Sequence, residues 1–167
     1  ACLPALTGDL GGPGGGLGPR HGSKGHGFGL TAIALAERRP PGDYVPNQMP
    51  RITEALETGR VRALLLFGTD MLSSYADAGA VARGLERADL IVAHDLFMND
   101  TARRFADVVL PSTSWLEELG CKSTNTHLYL MEPALPPPGE TRPVAAVLQG
   151  LAARLGLADF YPWDGAE

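Results

Sequence analysis

Three short apolar runs constrain this chain most. Residues 62–67 (RALLLF), 90–93 (LIVA) and 108–110 (VVL) are each strand-sized and nearly free of polar interruption. Helical patterns separate them. Residues 76–88 place Val81, Leu85 and Ala88 on one stripe, and a shorter helix follows Asn99 or Asp100, either of which can cap it. Continuous apolar runs of this length read as strands covered on both faces, as in a parallel sheet. Strand–helix–strand–helix–strand with short connections therefore predicts an α/β fold, a Rossmann-like parallel sheet flanked by helices.

Two further helices complete this expectation. Residues 52–58 have a helical pattern ending at Gly59, a suitable residue for the turn after a helix. Residues 141–155 place Val144, Val147, Leu148, Leu151 and Leu155 on a stripe expected to face inward.

The first fifty residues differ in character. Residues 8–29 (GDLGGPGGGLGPRHGSKGHGFG) are dense in glycine, and 38–43 (RRPPGD) read as turn or loop. Such a segment buries little apolar surface by itself. The chain thus divides into a Gly/Pro-rich irregular segment (1–50), an α/β domain (51–160) and a tail (161–167). No stretch in the glycine-rich part matches a dinucleotide-binding or P-loop pattern.

In a parallel sheet, ligands bind beyond the carboxyl ends of the strands. That rule points to residues 68–73, 94–100 and 111–114 as neighbours on one sheet edge. In the first turn, Gly68, Thr69, Asp70 and Ser73 offer backbone N–H groups, hydroxyls and a carboxylate. On spacing alone these residues serve a helix cap equally well. In the second, Asp95 could accept two hydrogen bonds from a guanine edge or from ribose hydroxyls, or be a solvated loop acid. His94 beside it could be a ligand, a base or a polar strand end. With no second His or carboxylate at metal spacing, it is not expected to bind a metal.

Composition excludes several classes. The chain is 44% hydrophobic and 20% charged, with a formal charge of −5, so no nucleic-acid or anionic-membrane partner is expected. No apolar run approaches the ~20 residues needed to span a bilayer, and residues 1–6 do not begin a secretory signal. Cys2 and Cys121 form no Cys-x-x-Cys pair, so no zinc or iron–sulfur site is signalled. No nucleophile-plus-base set is visible either. Glu117 and Glu118 read as a solvated acidic pair on a helical turn.

Several blocks together resemble the molybdopterin oxidoreductase family, which includes formate dehydrogenases and nitrate reductases. Residues 6–16 (LTGDLGGPGGG) and 19–22 (PRHG) resemble the glycine-rich stretch of that family. Residues 64–73 correspond to its strand and following turn, and 92–111 (VAHDLFMNDTARRFADVVLP) to its most recognisable signature. Residues 115–125 and 137–142 (PPGETR) continue the match in family order. Two departures stand out: Thr69 or Asp70 replaces the usual Asn of the first turn, and Glu118 replaces a frequent Lys.

The resemblance implies a function. It makes the chain a fragment of a molybdopterin-dependent oxidoreductase binding a guanosine end of a molybdenum bis(molybdopterin guanine dinucleotide) cofactor. Gly68, Thr69, Asp70, Ser73, His94 and Asp95 would be the cofactor-binding positions. The molybdenum ligand, and the iron–sulfur cluster where the parent has one, would lie upstream, so no catalytic residue is expected here and the fragment alone should be inactive. Its partners would be the cofactor and the remaining domains of the parent, in the cytoplasm, with the periplasm as the parent's alternative. A free-standing, non-catalytic nucleotide-binding or scaffold subunit is the competing expectation.

Overall fold

The computed structural model describes residues 6–8, 12–15, 41–123 and 127–160. Most of the glycine-rich segment, Cys2 and the 161–167 tail lie outside these residues. Helix α1 (Met49–Glu57) precedes strand β1 (Ala63–Phe67). A single turn, α2 (Met71–Ser74), and helix α3 (Ala78–Leu85) lead to β2 (Leu90–Asp95). Helix α4 (Asp100–Phe105) and β3 (Val108–Pro111) follow. Strands β4 (Gly120–Ser123) and β5 (Leu128–Met131) precede the last helix, α5 (Val144–Arg154).

The expected parallel sheet is present. Its order is β1-β2-β3, with Phe67 paired to His94 and Asp95 to Pro111. The register brings the carboxyl ends of all three strands to one edge. Helix α1 starts three residues earlier than the apolar pattern indicates, because Pro50 sits in its first turn. There its missing N–H costs nothing. Gly59 follows the helix at φ 72°, the left-handed conformation that glycine adopts without strain. Asp77 caps α3 by accepting from the Ala80 N–H, and Asn99 caps α4 by accepting from Ala102 N–H.

The core lies on one face of the sheet. Leu56 of α1, Met71 of α2, and Val81 and Leu85 of α3 pack with Leu66 and Ile91 from the strands. Side chains alternate along a strand, so the residues between those positions point to the opposite face. There the expectation of cover on both sides fails: Leu65 and Leu90 remain about two-fifths exposed. Among the described residues that face is covered only in part, at His94, which is buried beside the Arg142 carbonyl. The inward stripe expected on α5 is met only in part among the described residues, where Val147 and Leu148 are half-buried. Val144, Leu151 and Leu155 are exposed, and only Ala152 of that helix is buried.

Gly84 lets α1 and α3 approach closely. A Cβ built there would lie 3.2 Å from the Leu56 Cβ and 3.4 Å from the Thr53 carbonyl oxygen. Gly84→Val should therefore overpack this contact and cost about 1–3 kcal/mol. Denaturant unfolding measures it; an unchanged midpoint would show that the helices can separate freely.

Strands β4 and β5 form an antiparallel hairpin, with Cys121 opposite Leu130 and Lys122 opposite Tyr129. Sequence patterning did not anticipate it. Leu128, Tyr129 and Leu130 are all exposed, so no buried face imposes a clear period-two pattern.

Candidate nucleotide-binding edge

The site is built on the two crossovers at the carboxyl edge of the sheet. After β1 the chain turns at Gly68, where φ is 57° and a Cβ would meet nothing within 4 Å. Glycine is required here by backbone conformation, not by crowding. The Gly68 N–H donates to the His94 carbonyl at 2.9 Å, which ties the first turn to the end of β2. Beyond it, the N–H groups of Thr69 and Asp70 and the Thr69 hydroxyl have no hydrogen-bond partner among the described residues.

Asp70 is committed inward. Its Oδ1 accepts from the Thr101 hydroxyl at 2.5 Å and the Thr101 N–H at 3.3 Å, and its Oδ2 accepts from Ser73 at 2.7 Å. The Thr101 hydroxyl, itself fully buried, also accepts from the Leu72 N–H at 3.0 Å. These bonds brace the first turn against α4. The Thr101 hydroxyl foremost, with Ser73 and the Thr101 N–H, holds the Asp70 carboxyl below the usual carboxylate range, against the opposing effect of burial.

A pH dependence follows from that depressed value. A carboxyl whose folded value lies below its unfolded one contributes stability that is present above the unfolded value. That contribution is lost as pH falls through the folded value. Thr101→Val removes the donor and leaves the Leu72 N–H unsatisfied, so it should cost about 1–3 kcal/mol at neutral pH. Because the Asp70 shift shrinks, the variant and wild-type stability curves should converge in acid. Urea unfolding across the acid range checks this; parallel curves would show that Thr101 acts through packing alone.

His94 is also turned inward. It is 2% exposed, its Nε2 lies 2.8 Å from the Arg142 carbonyl oxygen, and its ring meets Phe67 edge-on. The 141–143 segment is thereby latched to the central strand, beside the Ser112–Arg142 bridge. Of the six residues singled out from sequence, Asp70, Ser73 and His94 bond away from the edge, to Thr101, to Asp70 and to the Arg142 carbonyl in turn. Gly68, Thr69 and Asp95 border the open edge.

Asp95 ends the central strand and is half-buried. Its Oδ1 accepts from the N–H groups of Leu96 (2.7 Å) and Phe97 (3.4 Å), while its Oδ2 accepts from Asn99 Nδ2 at 2.9 Å. A carboxylate has about two lone-pair sites on each oxygen, so Oδ2 keeps one open, while Oδ1 holds the Phe97 N–H only by a long contact at 3.4 Å. Beside it, Leu96, Phe97 and Met98 are exposed, Phe97 at 78%. Sequence reasoning missed this apolar surface, although the LFM run next to an acid was visible. It also read Asn99 only as a cap and did not single out Thr101.

The third turn carries a correction. Glu117 and Glu118 are not a solvated helical pair. Both are half-buried in a turn, with Glu117 accepting from the Ser114 N–H at 2.9 Å and Glu118 from the Thr113 hydroxyl at 2.8 Å. Thr113 is 4% exposed, so its hydroxyl needs an acceptor that Glu118 supplies. Among the described residues no group of three His, Cys, Asp or Glu could hold a metal ion, and no helix is long and apolar enough to cross a membrane.

Comparison with known proteins agrees with this architecture. The family model for molybdopterin oxidoreductases matches residues 3–154. A probable oxidoreductase of Bacillus subtilis (strain 168), YoaE, is 36% identical over 166 residues, covering 95% of this chain and 24% of that protein. The F420-dependent formate dehydrogenase subunit alpha of Methanocaldococcus jannaschii is 32% identical over 128 residues, covering 75% of this chain and 19% of that protein. Among solved structures, acetylene hydratase from Pelobacter acetylenicus matches with a TM-score of 0.63 at 27% identity, over 69% of this chain and 16% of that one. This chain spans less than a quarter of the length of these relatives. It belongs to the molybdopterin oxidoreductase family.

Proposed function

We propose that this chain holds a guanosine end of a molybdenum bis(molybdopterin guanine dinucleotide) cofactor within a longer oxidoreductase, with the metal ligand supplied from outside it. One observation carries the reading. The Asp95 carboxylate, with an open site on Oδ2 and only a long contact from Phe97 N–H on Oδ1, shares a sheet edge with the N–H groups of Thr69 and Asp70, which have no partner among the described residues.

The residues present fit the group. A guanine edge offers adjacent N1–H and N2–H donors, which a paired acceptor such as Asp95 satisfies. A phosphate needs donors, which backbone N–H groups at a glycine turn supply. Gly68 puts no side chain in the way, and exposed Phe97 offers a flat apolar surface beside the carboxylate. Asp70, Ser73 and His94 then serve the cofactor indirectly, by bracing the turns.

When bound, the cofactor supplies the two-electron chemistry, and the chain's part is to bind and orient it. On this reading the chain by itself binds guanine nucleotide without turning over a substrate. The test is calorimetric titration with GDP of the protein and of its Asp95→Ala variant. A GDP affinity that the substitution strongly lowers supports the assignment; equal binding by both refutes it.

A further inference from the structure

Asn99 makes more contacts than a helix cap requires. Its Oδ1 accepts from the Ala102 N–H at 2.8 Å, the ordinary capping bond. Its Nδ2 donates to Asp95 Oδ2 at 2.9 Å and lies 3.4 Å from the Thr69 carbonyl oxygen. The amide cannot be turned the other way round. An N–H can only donate, so Oδ1 must face Ala102, and the NH₂ group must face the carboxylate and the carbonyl.

Other capping residues lack one half of this arrangement. Asp caps a helix as well as Asn does, but would set a second carboxylate against Asp95. Ser also caps, but its single hydroxyl cannot bridge to Asp95 and Thr69 together. Asn99 therefore combines a cap with a double donor aimed at the two turns of the candidate site. The Leu96 and Phe97 N–H groups hold one carboxylate oxygen of Asp95 and Asn99 holds the other. Both oxygens are then fixed; Oδ2 keeps an open lone-pair site, and on Oδ1 a ligand donor need displace only the long 3.4 Å contact from Phe97 N–H.

Resting on the guanosine reading above, we propose that Asn99 is the positioning residue for base selectivity. It fixes the plane of the Asp95 carboxylate so that the two oxygens meet the N1–H and N2–H donors of guanine together. Without it, the carboxylate can turn about its Cβ–Cγ bond and meet one guanine N–H at a time, so the advantage of the second donor is lost.

The test uses the protein with Asn99→Asp and Asn99→Ser, both of which keep a capping oxygen, so folding is retained. Affinities for GDP and for IDP, which lacks the N2 amino group, are measured by calorimetry. Wild type should prefer GDP by about tenfold, the value of one hydrogen bond to a charged acceptor. Both variants should lose most of that preference, with GDP binding weakened more than IDP binding. If the two nucleotides weaken equally, Asn99 is merely structural and the proposal is overturned; an unchanged preference overturns it too. Asp95→Ala separates the two levels. Should it abolish the preference while the Asn99 variants keep it, only the positioning role fails. If Asp95→Ala changes nothing, the guanosine assignment itself is wrong.

Discussion

Leu56→Ala should destabilise the protein by about 3–5 kcal/mol, the upper range for a buried leucine truncation. Leu56 is fully buried on α1 and packs with Leu66, Met71, Val81, Leu85 and Ile91, the residues that join three helices to the sheet. Its Cβ faces Gly84, which has no side chain to move into the vacated space. Collapse around the cavity is therefore limited, and the cost should lie well above the transfer free energy of the lost methyl groups. Domains of this size are stable by about 5–15 kcal/mol, so the loss is a large fraction of the whole. Denaturant unfolding gives the value. Leu155→Ala, at a position 70% exposed, is the internal comparison and should fall within about 0.5 kcal/mol of wild type. Equal effects at the two positions would mean that the core is not where it is described here.

Asp95→Ala should reduce GDP affinity by about a hundredfold, because two hydrogen bonds to a charged acceptor are lost together. Asp95→Asn should do nearly as much. It keeps the size of the side chain but turns one acceptor into a donor, which opposes either guanine N–H. The substitution should weaken IDP less than GDP, since IDP offers only the N1–H. Unlike Leu56→Ala, these changes should leave the unfolding midpoint within a few degrees of wild type. A large drop in stability together with lost binding would assign Asp95 to holding the 95–99 turn instead of the base.

Strands and helices were legible where the pattern repeats over short distances. The runs at 62–67, 90–93 and 108–110 became β1, β2 and β3, and Val81 and Leu85 are buried as their spacing indicates. Asn99 was legible as a cap because capping is local, a matter of three residues. The hairpin of β4 and β5 was not legible, since both of its faces are exposed and nothing selects an alternating pattern. The stripe on α5 is half met among the described residues, because an apolar face states that a helix should be covered, not what covers it.

The sequence by itself determined the alternation of strands and helices, the parallel sheet, and the edge at which Gly68, Thr69, Asp70, Ser73, His94 and Asp95 gather. Those follow from periodicity and from turn chemistry, which act over a few residues. Only the tertiary structure decided which of those polar groups are spent and which are left open. Asp70 is taken by Thr101, 31 positions away, and His94 by the carbonyl of Arg142, 48 positions away. Such partners are chosen by strand register and crossover geometry, and no local pattern encodes them. Two carboxylates one strand apart thus have different partners: Asp70 is bound inward by a buried hydroxyl, while Asp95 is held at the open edge by the N–H groups of its own turn and by Asn99.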